Sequence, residues 1–115
     1  MSAKAIKTEE NFDAELGAGD RRFVLFYSAW CPFCVSFLPA FERQAAADPG
    51  IWLKVCTDDL PGLEDKFSIE VVPTVLCFVN GKLSARLDGQ LGRGLSGENL
   101  GSFAQRCGGA GGARP

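Results

Sequence analysis

The sequence contains no histidine, which excludes several common kinds of catalytic and metal site. Imidazole is the commonest general base and part of the Ser-His and Cys-His pairs that activate nucleophiles, so neither pair can be built here. Zinc sites that use histidine are excluded for the same reason. An odd number of cysteines does not suit a disulfide framework, and with one closely spaced pair a four-cysteine zinc ribbon lacks its second half. Those cysteines are Cys31, Cys34, Cys56, Cys77 and Cys107.

A large charge of one sign and long apolar runs are also lacking. The net charge of −2 gives no electrostatic reason to bind nucleic acid or an anionic membrane. No apolar run approaches the roughly 20 residues that a membrane-spanning helix needs. The polar segment 1–11 has no apolar signal-peptide core, so we expect a cytoplasmic protein. With 115 residues, the chain is expected to form one domain around a single core.

The most informative feature that is present is the segment Trp30-Cys31-Pro32-Phe33-Cys34, directly after an apolar run. Two cysteines three positions apart can close a small disulfide ring if the first lies at a helix start. There, unpaired backbone N–H groups and the partial positive charge of the helix end stabilise a thiolate. A strand that runs straight into such a turn favours redox chemistry over a structural disulfide or half of a zinc site, and no metal is expected.

Hydrophobic patterns predict alternating strands and helices along the chain. Continuous apolar runs indicate strands that are buried on both faces, and Thr8 followed by two acidic residues indicates a helix start. In chain order we predict an edge strand within 1–6, a helix from Thr8, a strand at 22–27, a helix at 35–47, a strand at 51–56, a short helix to about residue 69, a strand at 75–79 and a last helix at 96–106.

The dipeptide Asn80-Gly81 predicts a tight hairpin turn. After it, Leu83, Ala85 and Leu87 alternate with polar residues. This pattern predicts an antiparallel edge strand with these three side chains facing the core and a wet outer face.

The order of the elements predicts the fold class. The first half forms a right-handed parallel βαβ unit, to which the hairpin adds an antiparallel pair. We therefore expect an α/β protein with three layers, α/β/α, and a mixed central sheet of four to five strands. This domain should occupy residues 1–107, and the Gly-rich segment 108–115 should be a disordered tail.

The chain resembles the thioredoxin family from about residue 12 to residue 107. This resemblance implies the thioredoxin fold, a thiol-disulfide oxidoreductase that works in electron transport and cell redox homeostasis, and a cis Pro73 beside the cysteine pair. The residues that carry it are Trp30-Cys31-Pro32-Phe33-Cys34, Pro39, Lys54, Pro61-Gly62, Lys66-Phe67-Ser68-Ile69, Val72-Pro73-Thr74, Phe78, Asn80-Gly81 and Gly89.

The residues of the motif, and several residues elsewhere in the chain, can each be given an expected role. Cys31 lies at the helix N-terminus and is expected to be the nucleophile. Cys34 lies one turn deeper and is expected to be the resolving thiol, the alternative being a buried structural cysteine. A shallow substrate groove around Cys31 is expected to be lined by Trp30, Phe33, Val72, Pro73 and Gly89, with Pro32 and Lys54 in support and Asp88 at the rim.

The chain departs from the family pattern at three places. The family usually has Gly-Pro between the cysteines, whereas Pro32-Phe33 is more like glutaredoxins. The buried aspartate of the family falls on Leu25, while its usual partner Lys54 remains. Without a carboxylate, Lys54 either handles protons for the resolving cysteine or is an exposed strand-end lysine without a role. Asp88 replaces an apolar residue and should disfavour acidic or apolar partners and tolerate basic ones.

Three functions remain open from the sequence. The first is a reductase of protein disulfides that receives electrons from a thioredoxin reductase-type donor. The second is a glutathione-linked enzyme of glutaredoxin type. The third is a non-catalytic redox-sensing module that uses the fold for docking. Metal or iron–sulfur binding through Cys31 of two copies is a remote fourth. No bound cofactor is expected besides the redox disulfide Cys31–Cys34.

The remaining cysteines carry weaker predictions. Cys56 and Cys77 are expected to be inert small hydrophobes in strands that flank the 22–27 strand on opposite sides, too far apart to pair. Cys107 ends the last helix and is expected to be either a regulatory or dimerising thiol or an incidental free cysteine. The protein is expected to be a monomer.

Overall fold

The computed structural model describes residues 3–48, 50–90 and 92–109. The tail predicted for 108–115 lies outside the described residues from residue 110 onward. None of the helices in the described segments is long and apolar enough to cross a membrane. In chain order the elements are β1 (Lys4–Ala5), α1 (Glu9–Gly17), β2 (Arg21–Tyr27), α2 (Pro32–Ala47), β3 (Trp52–Cys56), α3 (Pro61–Lys66), β4 (Thr74–Val79), β5 (Lys82–Asp88), α4 (Gly97–Ala104) and a π-helical turn (Gln105–Gly109).

Five strands form one mixed sheet in the order β1-β3-β2-β4-β5. β3 runs parallel to both β1 and β2, while β4 is antiparallel to β2 and to β5. The predicted mixed sheet of four to five strands is confirmed, with five. The expectation that Cys56 and Cys77 lie on strands flanking β2 is confirmed as well, because β3 and β4 are its two neighbours.

The sheet is covered on both faces, which confirms the three-layer architecture. One apolar cluster joins β2, β3 and β4 to α2 and α4, and the other joins the same strands to α1 and α3. The central strand β2 serves both clusters, since Phe23 and Leu25 point to the first and Val24 and Phe26 to the second, all with 0% exposure. Burying side chains of this size contributes about 1.5–3 kcal/mol each. This packing fixes the end of β2, where the cysteine motif begins.

Helix α2 begins at Pro32, three residues before the predicted start. Cys31 is its N-cap residue, and Pro32 occupies the first turn, where a missing N–H costs little. Further along α2, Phe37 and Phe41 lie on the face that carries Cys34 and are buried in the core. The motif is therefore held by a helix whose apolar face is fixed on the sheet.

The hairpin forms where it was predicted, but one consequence drawn from it is wrong. Asn80 and Gly81 both have positive φ, 52° and 81°, as a tight turn of this kind requires. The register then shifts by one residue, because Cys77 pairs with Ala85 whereas Phe78 pairs with Leu83. This bulge moves Leu83 to the other face of the strand, where it is 42% exposed. Ala85 packs against the core as predicted.

Helix α4 is capped by Ser96, whose side chain accepts from the Asn99 N–H in a capping box. Leu100 and Phe103 face inward, as predicted. The π-helical turn after α4 carries Cys107 to the same buried face, where it is 8% exposed. A thiol buried to this extent does not favour the dimerising alternative for Cys107, while the regulatory alternative stays a prediction.

Candidate active site

The two cysteines of the motif lie where β2 passes into α2. Cys31 is partly buried, and its thiol donates to the carbonyl oxygen of Val72 at 3.6 Å. Cys34, in the first turn of α2, is only 1% exposed, and its thiol contacts that of Cys31. The pair thus combines one thiol that solvent can reach with one that it cannot, which is the asymmetry expected for a nucleophile and a resolving thiol.

The environment of Cys34 keeps its thiol protonated. Burial, with smaller contributions from the neighbouring thiols of Cys31 and Cys56, raises the pKa of Cys34 to about 12. The backbone N–H of Ser28, which donates to Sγ at 3.5 Å, acts in the opposite direction by favouring the thiolate. At neutral pH Cys34 is therefore a thiol that needs to lose a proton before it can attack.

A polar network beside the pair was missed from the sequence. The Ser28 hydroxyl donates to Asp58 Oδ2 at 3.1 Å, and the Trp30 N–H donates to the Ser28 oxygen at 3.3 Å. The Cys56 thiol donates to the same Asp58 oxygen at 3.7 Å. Cys56 is also half-buried rather than fully buried, so it does not behave as a simple core hydrophobe. The parallel pairing of Tyr27 with Cys56 explains this, because it places the loops that follow the two strands side by side.

The segment that leads to Pro73 contacts Cys31 through the carbonyl oxygen of Val72. The Val72–Pro73 peptide bond is cis, as the resemblance implied. The Thr74 hydroxyl donates to the Val71 carbonyl at 2.8 Å and accepts the N–H of Gly89 at 3.4 Å. A Cβ at Gly89 would collide with the carbonyl oxygen of Pro73. Val72 thus lies against Cys31, and Pro73 is packed closely against Gly89, whereas the groove itself stays a prediction.

The residues that flank Cys31 in the sequence form an exposed apolar surface. Trp30 is 85% exposed and Phe33 is 40% exposed, so neither contributes its whole side chain to the core. Pro32 is exposed between them. Two residues that were not singled out belong here: Val35 is 62% exposed, and Gly94 is so close that a Cβ there would lie 2.8 Å from Phe33 Cβ. Val35 could have been found from the sequence as an apolar residue directly after the motif, whereas the position of Gly94 beside Phe33 depends on tertiary packing.

The expectation that Lys54 lacks a carboxylate partner is wrong. Leu25, its register neighbour, is indeed a core residue, but Lys54 Nζ lies 2.9 Å from Glu42 Oε2 on α2. The side chains of Lys54 and Glu42 are 11% and 16% exposed, so Lys54 is not an exposed strand-end lysine. The other Glu42 carboxylate oxygen accepts the Ala3 N–H at 2.9 Å. Glu42 therefore links α2 to β3 and to the residue that precedes β1.

Removing the charge of Glu42 is expected to destabilise the fold. Glu42→Gln leaves the Lys54 ammonium group largely buried without a counter-charge, which should lower the free energy of unfolding by about 1–3 kcal/mol. Lys54→Met keeps the apolar stem and should cost less, and the double variant should recover most of the loss from Glu42→Gln. Urea denaturation of the four proteins measures the coupling. A coupling near zero contradicts the ion pair.

The same Lys54→Met variant tests the proposed proton handling. If Lys54 only fixes α2 on the sheet, the rate of disulfide reduction should keep its pH dependence from about pH 6 to about pH 9. A changed profile in a protein that is still folded would assign Lys54 a chemical role.

Asp88 does not present a free negative charge at the groove rim. Its carboxylate lies 2.9 Å from the Arg86 guanidinium. Arg86 also donates to the carbonyl oxygens of Phe67 and Ser68, at 2.8 and 3.2 Å. The predicted preference against acidic partners is thus weakened, because Arg86 largely balances the charge. Arg86 instead ties β5 to the segment that follows α3 and leads to Pro73.

Comparison with known proteins identifies relatives of this chain by sequence. The sequence model of the Thioredoxin family matches residues 3–98. Thioredoxin 2 of Chlorobaculum tepidum is 31% identical over 104 residues, covering 87% of this chain and 95% of that protein. Protein disulfide isomerase-like 5-2 of rice is 35% identical over 78 residues, covering 64% of this chain. The match spans only 18% of that longer protein.

Solved structures share the fold at lower sequence identity. The thioredoxin of Plasmodium falciparum superposes with a TM-score of 0.82 over 90% of this chain and 98% of that chain, at 21% identity. At this identity the likeness establishes the three-layer fold and nothing about substrates or partners.

Proposed function

This chain belongs to the thioredoxin family, and on that premise we propose that it is a protein thiol-disulfide oxidoreductase of thioredoxin type. The observation that carries the proposal is the contact between an accessible thiol at Cys31 and a buried one at Cys34, with Cys31 also touching Val72 beside the cis bond. A purely structural disulfide has no need for an open side or for an adjacent groove.

In the reductive direction, the thiolate of Cys31 attacks one sulfur of a substrate disulfide. The substrate S–S bond breaks, a mixed disulfide with Cys31 forms, and the released substrate thiolate takes up a proton. Cys34 then loses its proton and attacks Cys31 Sγ. The mixed disulfide breaks, the second substrate thiol leaves, and two electrons have passed from the dithiol to the substrate.

The order of the two attacks follows from the different surroundings of the two sulfurs. Since its pKa is about 12, Cys34 is protonated at neutral pH and does not compete with Cys31 for the substrate. Cys31 faces the helix N-terminus and the groove. When the Cys34 proton leaves, the Ser28 N–H that already points at Sγ stabilises the anion. Leu25 occupies the place of the buried acid of the family, so that acid contributes nothing here.

We propose an extended protein segment bearing a disulfide as the substrate. The backbone of Val72 offers hydrogen-bonding groups to such a segment, and proline at position 73 has no N–H to compete for the sulfur. The exposed rings of Trp30 and Phe33 supply apolar contacts on the opposite side. We further propose a flavin-dependent thioredoxin reductase as electron donor, action as a monomer, and a cytoplasmic location.

A glutathione-linked enzyme is the second candidate, favoured by one observation. Pro32-Phe33 stands between the cysteines where the family usually has Gly-Pro, and a proline followed by an aromatic residue is more like glutaredoxins.

The choice between the two is tested by the electron donor. Reduction of a disulfide-containing protein is followed with either thioredoxin reductase and NADPH or glutathione, glutathione reductase and NADPH. We expect turnover with the first system to be at least about tenfold faster, an advantage of about 1.4 kcal/mol. Cys31→Ser is the matched control and should be inactive with both. Faster turnover with glutathione would favour the second candidate, and no turnover with either would leave a non-catalytic module.

A further inference from the structure

A second pair of cysteines meets inside the core, away from the motif. Cys77 on β4 is 0% exposed and Cys107 in the π-helical turn is 8% exposed. The Cys77 thiol donates to the Cys107 carbonyl oxygen at 3.7 Å, and the Cys107 thiol lies close enough to raise the pKa of Cys77. Thirty positions separate the two residues in the sequence, so only the fold brings them together.

Two independent features of the fold create this contact. Cys77 points into the cluster that contains α2 and α4, since its register partner Phe23 lies in the same cluster. Cys107 follows buried Phe103 by four positions, so the last turn presents both side chains to the sheet. The contact is therefore between side chains that are each held by packing.

A cation lies close to this otherwise apolar contact. Arg21 precedes Phe23 by two positions on β2, and its guanidinium lies 5.7 Å from the Phe23 ring. Burial and the Cys107 thiol raise the pKa of Cys77, whereas Arg21 lowers it by favouring the thiolate. A guanidinium is the kind of neighbour that supports thiolate chemistry in a site where burial suppresses it.

We propose that Cys77 and Cys107 are a second redox pair, which closes to an intramolecular disulfide on exposure to a low-molecular-weight disulfide and ties the C-terminal turn to the central sheet. This inference does not depend on the proposed function, because neither Cys31 nor Cys34 takes part in it. An inert pair of buried small hydrophobes would pack in the same place but would not close under these conditions.

The reaction balances as two thiol–disulfide exchanges. The Cys107 thiolate, the more accessible of the two, attacks the small disulfide R–S–S–R, whose bond breaks to release R–S⁻. The Cys77 thiolate then attacks the Cys107 sulfur, and the second R–S⁻ leaves. The two thiol protons end on the two released R–SH molecules, which carry away the two electrons that the pair loses. Because the pair is buried, the turn has to open locally, so closure is slower than oxidation of Cys31 and Cys34.

The experiment uses the full chain with Cys31, Cys34 and Cys56 changed to serine, so that the second pair holds the remaining thiols. The protein is incubated with excess glutathione disulfide at about pH 8, alkylated after unfolding, and analysed by mass spectrometry. We expect a species lighter by two hydrogens that resists alkylation and yields a linked peptide containing Cys77 and Cys107. Its melting temperature should exceed that of the reduced form by about 4 °C or more.

The wild-type protein and the matched variant Cys107→Ala serve as controls. If the triple variant does not fold, peptide mapping of the oxidised wild type, in which Cys31 and Cys34 are linked separately, gives the same answer. Cys107→Ala should abolish the linked peptide and the stabilisation by oxidation. Two alkylatable thiols after prolonged incubation overturn the proposal, and so does a glutathione adduct on Cys107 that never closes.

Discussion

Replacing Cys34 with serine is expected to leave the protein covalently attached to its substrates. Cys31 keeps its place at the start of α2 and still attacks a substrate disulfide, but a serine hydroxyl cannot break the resulting mixed disulfide. Turnover of a protein disulfide should fall by about 10³-fold or more, because the second step is lost. Complexes that disappear on addition of reductant should accumulate on non-reducing gels, and their peptides should map to residue 31.

The controls separate this result from nonspecific thiol reactions. Cys31→Ser should lose activity to the same extent but form no complexes, since its remaining motif thiol is 1% exposed. A Cys34→Ser variant that retains more than about a tenth of the wild-type rate would contradict the two-thiol mechanism. Such a result would indicate a one-thiol route in which a small thiol such as glutathione resolves the mixed disulfide.

Adding a single methyl group at position 89 is expected to damage both the groove and the fold. A Cβ there would run into the Pro73 carbonyl oxygen, which is a backbone atom held by the Thr74 network and cannot swing aside. Gly89→Ala should therefore lower the free energy of unfolding by about 1–3 kcal/mol, the range for overpacking in a well-packed site. In the folded fraction, substrate reduction should weaken as well, because a shift of Pro73 also moves Val72, whose carbonyl oxygen contacts Cys31.

Gly17 provides a matched control for this substitution. A Cβ at Gly17, the last residue of α1, would meet no atom within 4 Å. Gly17→Ala should be neutral or stabilise by up to about 1 kcal/mol, since alanine favours the helix and restricts the unfolded chain. Urea denaturation and turnover of both variants test the contrast. Equal stability of the Gly89→Ala and Gly17→Ala variants would mean that the Pro73 segment moves aside at little cost in free energy.

The sequence predicted those parts of the molecule that local patterns determine. The continuous apolar run that became β2 and the Asn80-Gly81 turn specify their elements from adjacent residues alone. The closeness of Cys31 to Cys34 follows from their spacing on one helical turn. The family resemblance added the cis bond before Pro73, which no periodicity reveals.

What could not be predicted depends on contacts between distant segments. The ion pair of Glu42 with Lys54 joins a helix to a strand, and nothing in the sequence near either residue marks its partner. The hydrogen bond of Ser28 to Asp58 requires knowing which loops become neighbours. The bulge that turns Leu83 outward is a one-residue change in register, and an alternating pattern of apolar residues does not indicate where such a change occurs.

The contrasting surroundings of the two tryptophans provide an optical probe of the site. Trp30 is 85% exposed next to Cys31, whereas Trp52 is 3% exposed and stacked on Phe23 with ring centroids 4.3 Å apart. The chain has no other indole. Emission quenched by dissolved iodide therefore originates at the mouth of the groove, while the shielded emission originates in the interior. A docked partner that covers Trp30 would shift the first signal towards the blue and leave the second as an internal reference.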